Sequence, residues 1–123
     1  MSKITVLVVE HKKIPYTKEI DNALESLQRE VGGYIQAIYP YEKPVAIVCT
    51  DCAKLEGMPL NRVLRDENGE VYDIIAWTFL IVGLTEEDFG SLSEEYIKKF
   101  SELFKLPEAF IILRNRIIAL SQE

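Results

Sequence analysis

The chain has 123 residues, enough for one continuous core and too short for two. Hydrophobic residues at 48 % and charged residues at 28 % exclude a disordered chain and fit a single globular domain over 1–123. Fourteen basic against twenty acidic side chains leave a formal net charge of −6, which argues against a nucleic-acid binder and against anchoring to anionic lipid.

The opening "KITVLVVE" is β-branched and nearly continuous, as in a strand buried on both faces. A loop runs from His11 to Pro15. In "TKEIDNALESLQREVGG", Ile20, Leu24, Leu27 and Val31 are spaced by four, three and four, which predicts a helix with Thr17 as N-cap and Gly32-Gly33 as its stop. "YIQAIYP" and "PVAIVCT" read as strands, and the short connection between them makes an antiparallel pair. Residues 59–64 form a short candidate helix, Asn68-Gly69 is a turn dipeptide, and "EVYDIIAWTFLIVGL" reads as a long central strand broken near Asp73.

Ser91 or Ser93 caps a second helix, with Leu92, Tyr96, Ile97, Phe100, Leu103 and Phe104 on its inner face. The tail is either a helix opened by Pro107 or a hairpin turning at Arg114-Asn115, and the hairpin is favoured because it sets Ile112 against Ile117 and Ile111 against Ile118. The expected fold class is α+β, a mostly antiparallel sheet with two main helices on one face, in the order β-α-β-β-(short helix/loop)-β-α-β-β. The longest apolar stretch, 74–82, is half of what spanning a bilayer requires. With two cysteines and no targeting segment, a cytoplasmic setting is expected.

Few residues carry legible chemistry. Cys49 and Cys52 form a lone C-x-x-C, but zinc would need two more ligands and a redox pair would want a helix start, so a core and a loop cysteine are expected. His11 lacks an orienting partner and a nucleophile and reads as a loop histidine. Asp66, Glu67, Glu70 and Asp73 crowd the Asn68-Gly69 turn without a calcium-loop pattern, so neither a metal site nor a cofactor is expected. Asn61, Arg62 and Arg65 are the stronger candidates for a site, because guanidiniums grip phosphate or carboxylate with two donors at once. The alternative is that Arg62 pairs with Asp66, and Arg65 with Glu70 or Asp73, to brace the loop. Tyr72, Trp77 and Phe79 would add aromatic surface for stacking or for a partner's pocket. Arg114 and Arg116 add a second basic pair.

The stretches "PLNRVLRDENGEVYDIIAWTFLIVG" and "EEDFGSLSEEYIKKFSELFKLPEAF", with "ITVLVVE" and "ALESLQREVGGYIQAIYP" before them, resemble the domain-of-unknown-function family numbered 3846. The resemblance implies an Asn-Arg pair ahead of an acidic turn, matched by Asn61-Arg62, and a Gly just before Thr-Phe, where this chain has Trp77. It also implies the company of phages or mobile elements and a cytoplasmic setting, the host's cytoplasm for a phage protein. The expected function is a binding or inhibitor protein, not an enzyme. It would serve in counter-defence by gripping a protein partner or an anionic, nucleotide-like small molecule. The alternatives are an enzyme on nucleotides or other anionic metabolites, with an Asp or Glu of the turn as base, and a structural protein acting as a homo-oligomer.

Overall fold

β1 (Lys3–Val9) is apolar at nearly every position, and such a run is stable only where both faces of a sheet are covered. The computed structural model, which describes residues 2–113 and 116–121, shows that arrangement. β2 (Tyr16–Asp21), β3 (Ile35–Ile38), β4 (Val45–Thr50) and β7 (Phe79–Leu84) join β1 in a sheet of order β2-β1-β7-β4-β3, every pair antiparallel. Ile81 of the central strand faces Leu7 on one side and Ile47 on the other.

Side chains alternate across this sheet and feed two cores. Val6, Val8, Ala46, Val48, Leu80 and Val82 pack with Leu27 and Val31 of α1 (Leu24–Val31). Leu7, Val9, Ile47, Phe79 and Ile81 pack with Phe100 and Phe104 of α2 (Glu94–Leu103) and the residue that ends it. Burying one Phe contributes about 2–3 kcal/mol, and Phe100 and Phe79 are both fully buried. The two helices therefore lie on opposite faces, not on one as the element order suggested. α2 starts at Ser93, whose hydroxyl accepts from the Tyr96 N–H, and Ser91 instead accepts from the Thr5 N–H at 2.9 Å. Leu103 turns outward, 57 % exposed.

Three other expectations are corrected. The helix predicted from Thr17 begins only at Leu24, because residues 16–21 pair with β1 along six positions, and Ala23, not Thr17, is the N-cap. Ile20 still shares a core with Leu27 and Val31, so the helical spacing was the trace of a strand and a helix converging on one core. Gly32 ends α1 as expected, at φ 84° with its N–H bonded to the Gln28 carbonyl at 2.8 Å. The candidate helix at 59–64 is β5 (Leu60–Arg65), joined by the Asn68-Gly69 turn to β6 (Val71–Ala76) in a hairpin of its own. The long apolar run breaks at Trp77-Thr78, not at Asp73, where the chain leaves this hairpin for the main sheet as β7.

After a two-residue β8 (Phe89–Gly90) and α2, the tail forms the expected hairpin of β9 (Glu108–Leu113) and β10 (Arg116–Ser121). Ile112 faces Ile117 and Ile111 faces Ile118, and β9 lies beside β5. Strands and two helices make the fold α+β.

Candidate functional site

β5 carries Asn61 and Arg62 into the centre of the molecule, both at 0 % exposure. The Asn61 amide donates to the Val9 carbonyl at 2.9 Å and the Trp77 carbonyl at 2.7 Å, and its oxygen accepts from Arg62 Nη1 at 2.6 Å. Arg62 donates all five of its N–H groups. Nε and Nη2 reach the Phe104 carbonyl at 3.3 and 3.0 Å, Nη2 the Lys13 carbonyl at 2.8 Å, and Nη1 the Asn61 carbonyl at 3.2 Å as well as its side chain. A guanidinium has five donors, so none is left for a ligand. Burial pulls Arg62 below its ordinary range, and the nearby Glu108 carboxylate works against that. The pair thus ties the end of β1, the β1–β2 loop, the β6–β7 junction and the end of α2 to β5.

The other predicted contacts separate. Phe79 is core, edge-on to Phe104 at 5.4 Å. Arg65 is exposed and donates to the Gly69 carbonyl at 3.3 Å, so it braces the turn through a carbonyl, not through Glu70 or Asp73. Tyr72 is exposed on β6. Trp77 has φ 64°, a left-handed conformation, and its indole lies over Gly32 at the end of α1, with Nε1 3.6 Å from where a Cβ there would stand. Arg114 lies outside the described residues, and Arg116 is described only as a backbone position in β10. Asn61, Arg62 and Phe79 are therefore corrected from ligand contacts to internal ties, because burial and saturated hydrogen bonding leave them no free group.

Three of the four turn carboxylates, Asp66, Glu67 and Asp73, are also engaged. Asp66 Oδ1 accepts from the N–H groups of Asn68 and Glu70, at 2.9 and 3.0 Å. Asp73 pairs with Lys54 at 2.9 Å and Glu67 with Lys43 at 3.0 Å. The Lys43 ammonium and the Glu42 N–H hold the Glu67 carboxyl below its usual range. Cys49 is buried with its thiol pushed up to about 11 by burial, and the carboxylate of Asp51 beside Cys52 raises that thiol too. Neither is a reactive thiolate near neutral pH. Among the described residues, no three His, Cys, Asp or Glu side chains gather to hold a metal, and no helix is long and apolar enough to cross a membrane.

Two surface features bear on binding. A cleft of about 340 Å³ is lined by His11, Lys12, Leu60, Glu108, Ala109 and Phe110. A wider groove of about 520 Å³ is lined by Lys54, Met58, Leu60, Val71, Asp73, Ile74 and Ile117. In the first, the His11 Nδ1 is shielded from solvent and has no hydrogen-bond partner. Burial lowers the His11 pKa, helped by Lys12 and Arg62 and opposed by the nearby Leu60 backbone. Sequence reasoning passed over this cleft because its walls come from the β1–β2 loop and β9, about a hundred positions apart. The one available signal was a single histidine beside two lysines at a strand end.

No curated protein and no solved structure matches the chain. A family model described as "Domain of unknown function (DUF3846)" matches residues 4–105, nearly all of the chain up to the terminal hairpin. The chain belongs to the DUF3846 family.

Proposed function

We propose that this is a small binding or inhibitor protein that grips a protein partner with the face built from residues 51–58, β6 and β10. The observation that carries the reading is apolar surface gathered in one place. Met58, Leu60, Val71, Ile74 and Ile117 line the 520 Å³ groove. Leu55 at 90 %, Val71 at 57 % and Ile117 at 45 % exposure belong to the same segments. Contiguous apolar surface is costly to leave in water and marks sites of association. The Lys54–Asp73 ion pair gives the groove a polar rim. The buried Asn61-Arg62 tie supports the face from behind by fixing β5. The family resemblance brings the expectation of phage or mobile-element company and a cytoplasmic setting, and a partner-blocking surface suits a counter-defence role there.

The test compares wild type with Val71→Glu and Ile117→Glu, both in the groove lining and both exposed, so the melting temperature should stay within a few degrees. A host protein captured by wild type, and reconstituted with it as a purified one-to-one complex, should lose at least about tenfold in affinity with either variant. Equal affinity in both variants overturns the reading. A wild-type dimer in light scattering that the variants dissociate would assign the face to a second copy. The enzyme alternative is weakened by the engaged turn carboxylates, and turnover of any member of a nucleotide panel would restore it.

A further inference from the structure

We propose that the cleft between the β1–β2 loop and β9 binds a small organic anion with a flat ring, such as a ring-bearing carboxylate or phosphate ester. It shares only Leu60 with the apolar groove, so it stands or falls separately from the partner-docking face. Four observations converge on it. First, His11 is the only histidine in the chain, and its Nδ1 is sealed from solvent without a partner. That orphan is costly and has no accessible surface of its own, so the anion acts on the imidazole through its charge and not by a bond to Nδ1.

Second, Lys12 has φ 62°, a backbone conformation that side chains other than glycine adopt rarely and that structures retain mainly where geometry is enforced. Here the enforcement is visible. Asn61 holds the Val9 carbonyl just before the loop, Arg62 holds the Lys13 carbonyl within it, and the Lys13 N–H closes on the Glu10 carbonyl at 3.2 Å. The loop that presents His11 and Lys12 is therefore rigid before any ligand arrives, which lowers the entropy lost on binding.

Third, the cleft is locally cationic on an acidic protein. Lys12 makes no ion pair among the described residues, and Arg62 lies close enough beneath for its charge to act on His11. Lys13 is offset by Glu10 at 3.8 Å. The one carboxylate on the wall, Glu108, spends Oε2 on the Val63 N–H at 3.0 Å. Fourth, the Phe110 ring and the Leu60 side chain supply an apolar wall, and about 340 Å³ suits a molecule of one or two rings.

An anion seated here stabilises the imidazolium, so binding raises the His11 pKa and takes up a proton. The charges acting on that proton are Lys12 and Arg62, with Glu108 on the same cleft wall and the Lys13–Glu10 pair in the same loop. A single histidine makes the readout clean. The ring C–H signals of His11 are followed by NMR through a pH titration, alone and with inorganic phosphate, phenyl phosphate, adenosine monophosphate or neutral adenosine. Phenyl phosphate or adenosine monophosphate should move the His11 midpoint upward and bind more tightly at pH 6 than at pH 8. A midpoint raised by one pH step corresponds to about tenfold in affinity between the two protonation states. Lys12→Gln should abolish the upward movement, Lys12→Arg should retain it, and Phe110→Ala should weaken the ring-bearing probes alone. The proposal is overturned if no probe moves the midpoint, if phenyl phosphate binds no better than inorganic phosphate, or if Lys12→Gln binds as well as wild type.

Discussion

Replacing Arg62 by Ala is the most direct challenge to the role assigned to β5. The substitution removes five hydrogen bonds between 2.6 and 3.3 Å and leaves the Phe104 and Lys13 carbonyls and both Asn61 oxygens short of a donor. Each bond from a charged donor is worth about 1.5–3 kcal/mol, and an abandoned buried acceptor costs about 1–3 kcal/mol. Against this stands the relief of no longer burying a guanidinium, and water will reach some of the carbonyls. The balance is a loss of about 3–5 kcal/mol, a large share of the roughly 5–15 kcal/mol that holds a domain of this kind together. Urea unfolding followed by circular dichroism should show the midpoint falling steeply with an unchanged slope. Arg62→Lys should recover part of the loss, since one ammonium offers three donors from a single point and cannot span carbonyls on two sides. Arg65→Ala, at an exposed side chain with one 3.3 Å bond, should stay within about 0.5 kcal/mol. An Arg62→Ala protein within about 1 kcal/mol of wild type would refute the tie and return Arg62 to the ligand contacts.

Trp77→Gly should be more stable than Trp77→Ala by about 1 kcal/mol, because both lose the indole over Gly32 but only glycine is at ease at φ 64°; equal melting temperatures would contradict the left-handed backbone. Gly83→Ala should destabilise by about 1–3 kcal/mol in chemical denaturation, since its Cβ would run into the Ser91 carbonyl, backbone that cannot swing aside. His11 titrates lower in the folded chain than in the unfolded one, so the unfolded chain binds the extra proton. Its contribution to stability is therefore full above the unfolded pKa of 6.5 and fades as pH falls through that value toward the folded one, and His11→Gln should flatten stability over that window. In native protein at pH 7, a thiol reagent should label Cys52 slowly and Cys49 only after unfolding, with the Cys52 rate still climbing above pH 9.

Elements whose signal is local were legible in the sequence. β1, β3, β4, the Ser93 cap, the Gly32 stop and the isoleucine register of the terminal hairpin all follow from period, turn chemistry and capping within a few residues. Residues 16–21 were not, because Ile20 keeps helical step with Leu27 and Val31 although it reaches their core from a strand. β5 was misread for a related reason. Asn61 and Arg62 look like surface residues until the carbonyls of Val9, Lys13 and Phe104, 42 to 52 positions away, close around them. Trp77 is the instructive intermediate. A left-handed residue asks for glycine, and this chain has Trp77 there at φ 64°, so nothing in its own letters announces the break. The cleft depends on β9 meeting the β1–β2 loop, and no local pattern announces such a meeting.

The position of β7 also constrains how the chain can be made. The β1–β2 and β3–β4 hairpins are complete by residue 50, yet the strand that joins them spans Phe79–Leu84. Until β7 docks, β1 and β4 each present an open edge of largely apolar strand to the surroundings. Closing the sheet then requires contacts separated by about seventy residues, a slow step compared with forming either hairpin. The vulnerable species in this protein's life is thus the two-hairpin chain before β7 docks, and refolding from urea should lose a growing share of protein to aggregation as its concentration rises.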